Sequence, residues 1–138
     1  MKKLINTAFV YMILGLFFGL FYREYTNILN FTGDTVLSVL HTHTLILGMF
    51  FFLIVSLFEQ TLKITEHKKF NKFFISYNVG VVLTIAFMLM RGITDVHLTV
   101  VPKGLDASIS GMSGIAHIVL TVGLFYFFSV LRDTVKDK

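Results

Sequence analysis

Residues 36–58 read VLSVLHTHTLILGMFFFLIVSLF, a run without Asp, Glu, Lys or Arg that carries two histidines and one glycine. A helix that crosses a bilayer needs about 20 mostly apolar residues, and this run is long enough. Working outward, three further runs have the same character, at residues 4–22, 73–93 and 113–131. The pattern predicts an all-α integral membrane four-helix bundle in which residues 1–138 form a single transmembrane domain. Composition agrees, with 55% hydrophobic residues, 14% charged residues and a mean hydropathy of +0.78. Those values lie far from the balance of a soluble domain.

The first run follows Lys2 and Lys3, as a secretory signal would, but it is too long for one and ends in the aromatic and charged FYREY rather than a cleavage site. It reads as a retained helix whose GLFFG face, at Gly15 and Gly19, suits close helix contact. Residues 59–72, EQTLKITEHKKFNK, are too charged for lipid and read as a loop. The stretch DASISGMSG at 106–114 reads as a connection whose serines can cap the fourth helix.

Basic residues fall on alternate connections. Lys2, Lys3, four lysines between the second and third runs, and Arg132, Lys136 and Lys138 face Arg23, Arg91 and Lys103 on the other side. The positive-inside rule then places both termini on the cytoplasmic side of a cell membrane. The same placement explains the net charge of +4 without nucleic acid as a partner; the partner is the lipid bilayer. The absence of cysteine excludes disulfides, thiolate metal sites and cysteine-held iron–sulfur clusters.

In this topology His41, His43, His97 and His117 lie toward the outer side and His67 toward the cytoplasm. At 1.5 Å per residue, His41 and His117 sit roughly 6–8 Å inside their expected helix starts, a common depth. Polar rings inside a span are costly and mark function when several share a level. Hydrogen bonding to a neighbouring helix is the plainer use of a lone one. Residues two apart diverge by about 200° on a helix, so His41 and His43 serve different neighbours. The i, i+4 pair of a single-helix metal site is missing.

Gly48 lies seven positions beyond His41 and about 20° around the axis, a smooth strip that a flat macrocycle could occupy. Gly114 and Thr121 keep the His117 face slim in the same way. Such small residues equally allow helices to approach closely. Arg91 and Arg23 stand where the propionates of a haem would need partners, and they could instead pair with Asp95 and Glu24. Asp34, Asp95 and Asp106 fall in outer connections, so no chain of carboxylates for proton transport is visible.

At HTHTLILGMFFF the sequence resembles the histidine-rich helices of the haem–copper oxidase catalytic subunit, where a His–any–His pair serves two different haems. The whole chain also resembles the DUF2871 family of small bacterial four-helix membrane proteins of unknown function. The oxidase subunit has three pseudo-equivalent groups of four helices, so the resemblance implies a homo-oligomer, a homotrimer with sites between protomers. Only His41 and His43 match the oxidase pair. The adjacent histidine pair and the histidine–tyrosine helix of the oxidase copper centre have no counterpart, so oxygen reduction with proton pumping is not implied.

These readings converge on a haem b protein in which His41, His43 and His117 ligate iron, with Gly48 and Arg91 as further cofactor contacts, for electron transfer or diatomic gas binding. The alternatives are a copper or zinc binding or transport protein using His41, His43, His97 and His117, and a structural accessory subunit without cofactor. Turnover would require a redox partner to supply electrons.

Overall fold

Each apolar run forms a helix, which satisfies its backbone N–H and C=O groups within one segment, as a membrane span requires. The computed structural model describes residues 1–98 and 100–136; Lys138 of the basic group lies outside them. Four helices follow one another, α1 (Lys2–Ile28), α2 (Leu37–Leu62), α3 (Phe70–His97) and α4 (Lys103–Lys136), each long and apolar enough to cross a membrane. No strand occurs among the described residues.

The helices alternate in direction. At one end Lys3 Nζ sits 3.9 Å above the Phe74 ring, and Lys69 donates to Asp133 Oδ2 at 2.9 Å and to Ser129 Oγ at 2.8 Å. The start of α1, the α2–α3 connection and the end of α4 therefore share that basic end. At the other end Tyr25 Oη and His97 Nε2 are hydrogen-bonded at 2.6 Å, and Arg91 pairs with Asp106.

Close approach at glycines builds the seams between helices. Between α1 and α2, Leu45 lies on Gly15, the His41 ring covers Gly19, and Tyr11 lies on Gly48. The GLFFG face thus packs as its spacing suggests. Between α3 and α4 the backbone of Leu120 fills the space at Gly80, and that of Tyr77 the space at Gly123. Leu37 of α2 lies on Gly92 of α3. An aromatic cluster joins three helices below these seams, with Phe51 stacked on Tyr77 at 3.9 Å and Phe73 5.0 Å from Phe127. Outside, long apolar side chains such as Leu16, Phe17, Ile118 and Phe125 are exposed, as on a surface that meets lipid or another protein.

The helices outrun the expected boundaries. The fourth begins at Lys103 instead of residue 113, because Pro102 precedes its first turn, Asp106 pairs with Arg91, and Ile109 is buried. Ser108 bonds back to the Gly104 carbonyl inside the helix instead of capping it. Tertiary contacts override the loop-like composition of DASISGMSG. Helix α2 also contains a π-helical segment at Thr44–Phe50, and the Leu47 carbonyl within it accepts from Tyr77 Oη at 2.9 Å.

Gly80→Leu should destabilise the bundle by about 1–3 kcal/mol, since the atoms met are the Leu120 backbone and cannot turn aside. Gly111→Ala, where nothing lies within 4 Å, should instead stabilise by about 0.5–1 kcal/mol through helix propensity. Thermal unfolding in one detergent compares the two directly.

Candidate functional site

The register between helices sets the height of each histidine. Leu37 abuts Gly92, so His41 and His43 lie level with Met88 and Ala86 of α3; Leu120 abuts Gly80, so His117 lies level with Leu83. His43 and His117 therefore differ in height by three residues, about 4.5 Å, and His41 and His117 by five, about 7.5 Å. The expected placement of His117 just inside a helix start is corrected. With α4 beginning at Lys103 it lies near mid-helix, about 21 Å along.

The three rings do not meet within one chain. His41 is half-buried at the α1–α2 seam, its ring over Gly19. Its Nδ1 is buried without a hydrogen-bond partner among the described residues, and its Nε2 stands 3.3 Å from Thr42 Oγ1. His43, turned about 200° away, is exposed on the outer surface of α2 beside Val39 and Ile46. His117 is exposed on α4, about 160° around the helix from Asp133, which holds the α2–α3 connection. Among the described residues no three His, Asp or Glu side chains gather as a metal site.

His43 and His117 share one detail. Each Nδ1 bonds the carbonyl four residues earlier, His43 to Val39 at 2.9 Å and His117 to Ser113 at 2.8 Å. A carbonyl only accepts, so Nδ1 is the donor on each ring, and Nε2 is the nitrogen left to bind whenever the ring is neutral. That nitrogen has no hydrogen bond among the described residues on either ring. This is the arrangement by which proteins prepare an imidazole for a metal, one nitrogen fixing the tautomer and the other left to bind. Beside His117, Gly111 and Gly114 have nothing within 4 Å of where a side chain would begin, so that flank of α4 is open.

Two expected cofactor contacts are otherwise engaged. Gly48 does share the His41 side of α2, but the strip is filled by α1, whose Tyr11 ring occupies the space. Its smallness serves helix packing, not a macrocycle. Arg91 bonds Asp106 and lies 3.6 Å from Asp95, so its charge is already met by two carboxylates. Arg23 pairs with Glu24 at 2.7 Å. His97 is held by Tyr25, and His67 lies 3.5 Å from Asp133 at the basic end. Sequence reasoning missed the back-bonded tautomers of His43 and His117. The acceptor is simply the residue four before each histidine, so the signal was present at Val39 and Ser113.

A family model described as a protein of unknown function, DUF2871, matches residues 1–134. No curated protein matches the chain, and no solved structure does.

Gly48→Ala should loosen the α1–α2 seam by about 1–3 kcal/mol with no cofactor involved, because the added methyl meets the Tyr11 ring. In a Tyr11→Ala background the same Gly48→Ala change should cost less, since the ring it meets is gone. A double-mutant cycle of thermal stabilities checks this, and additive effects would show that the two residues do not touch.

Proposed function

We propose that this chain, which belongs to the DUF2871 family, is a multi-pass protein of the bacterial cell membrane, with its basic end and both termini in the cytoplasm, that binds haem b through His43 and His117. The two ligands come from neighbouring copies in a homo-oligomer, for which a closed ring of three is the arrangement the oxidase resemblance implies.

The observation that carries this reading is the matched pair of back-bonded histidines, each leaving Nε2 without a hydrogen bond among the described residues on an apolar outer surface. An acceptor left bare in hydrocarbon is costly, and iron satisfies it. The two levels differ by less than one turn, and the open flank at Gly111 and Gly114 leaves room beside His117. Because the rings lie on separate outer faces, one chain does not pair them, whereas a head-to-tail contact between copies does. The geometry favours His43 over His41, whose ring packs on α1 of its own chain. If bound, haem b would be held by His43 and His117 and would supply a one-electron iron couple, or bind a diatomic gas if only one of the two histidines held it. The chain's own part is to orient two imidazoles and exclude water from them.

Purified protein should show a Soret band that sharpens and shifts on dithionite reduction. His43→Ala and His117→Ala should each abolish or strongly shift it, and His41→Ala should leave it. Coexpressing the two inactive variants should restore about a quarter of the absorbance, because only junctions between the right neighbours are intact. No Soret band in the wild-type protein would end the haem reading, and copper or zinc found without it would replace haem by direct metal binding. A band that survives both His43→Ala and His117→Ala would end the site assignment.

A further inference from the structure

A groove of about 630 Å³ runs between α1 and α3 from the basic end, on the part of the bundle that the histidine pair does not use. Its lining is graded. Lys3 stands at the mouth with Asn6; Tyr11 and Asn78 lie further in, and Val10, Leu14 and Val82 add apolar lining. The Thr7 hydroxyl near the mouth is spent on the Lys3 carbonyl. We propose that this groove binds one anionic phospholipid, with its phosphate on Lys3 and Asn6 and one acyl chain along Val10, Leu14 and Val82.

Charge and hydrogen bonding select the headgroup. Lys3 Nζ is held over the rings of Phe74 and Phe70, at 3.9 and 6.0 Å, and has no ion-pair partner among the described residues. The Asn6 amide likewise makes no hydrogen bond among them. The inner polar group is spent: Asn78 Oδ1 accepts from Tyr11 at 2.9 Å, and Asn78 Nδ2 donates to the Phe74 carbonyl at 2.7 Å. Free donors are thus confined to the mouth, as an anionic phosphate at the membrane surface requires. Length selects a lipid over a partner helix. Lys3 to Leu14 covers about 16 Å of helix, close to half of the ~30 Å hydrocarbon core. The groove reaches through one leaflet and stops, whereas a spanning helix would need the full height.

The test is native mass spectrometry of the full chain in detergent with phosphatidylglycerol or phosphatidylcholine of identical acyl chains. The wild type should retain one phosphatidylglycerol in preference to phosphatidylcholine. Lys3→Gln should weaken that retention about fivefold, the effect of one basic residue at a lipid surface. Lys136→Gln, at the same end but outside the groove, should not. Leu14→Trp should displace the lipid by filling the groove while leaving every charge in place, with monodisperse elution confirming that it folds. Equal binding of the two lipids, equal losses in Lys3→Gln and Lys136→Gln, or undiminished binding in Leu14→Trp would each overturn the proposal. So would a disulfide-linked dimer of Val10→Cys in native membranes, which would put a second copy in the groove; the chain has no cysteine of its own to confuse that result. None of these readouts depends on haem, so the two proposals fail separately.

Discussion

Close backbone approach at glycine is the interaction on which this bundle depends. Leucine gains nothing by leaving lipid tails for a protein interior, so association between spanning helices rests on van der Waals contact and a few hydrogen bonds. The fold meets that constraint with knobs set into glycine gaps: Leu45 and His41 of α2 into α1, Tyr11 of α1 into α2, and the α3–α4 backbones against each other at Gly80 and Gly123. Hydrogen bonds tie the remaining neighbours, Tyr11 of α1 donating to Asn78 of α3 and Tyr77 of α3 to the Leu47 carbonyl of α2. The second bond uses a carbonyl in the π-helical segment at Thr44–Phe50, so the irregular turn is tied to the packing of α3.

The same constraint sorts the histidines. The α1–α2 seam takes the His41 face, Gly48 included, and fills it with side chains. His43, two residues on, is thereby turned away from α1 to the outside. Near its basic end α4 meets α2 through Phe127 with Phe51 and Phe58, and farther along the open glycines lie beside His117. Both imidazoles are fixed by their own helices and face outward, so within one chain they do not share a ligand, and only a neighbouring copy would bring them together.

Much of the fold was legible. Four apolar runs gave four helices, the GLFFG spacing gave a real contact face, and the divergence of His41 and His43 follows from helical geometry alone. The boundaries were less legible where composition misled: the serines and glycines of DASISGMSG look like a connection, yet the Arg91–Asp106 pair and buried Ile109 hold them in α4. Of the candidate site, the histidines were visible as residues out of place in lipid, and their tautomers followed from the carbonyl four residues back. The engagement of Gly48 by Tyr11 and of Arg91 by two carboxylates was not visible, since each depends on residues far apart in sequence.

By itself the sequence determined the number of helices, their alternation and the concentration of lysines at one end, because hydropathy and charge act residue by residue along the chain. Only the tertiary structure decided which glycines receive a neighbouring helix and which stay open, which histidine is enclosed and which two remain outside, and that a graded groove is left between α1 and α3. The physical reason is that these outcomes are set by register and rotation between helices. A one-residue slip turns a face by about 100°, and no local pattern fixes it until the knobs find their gaps.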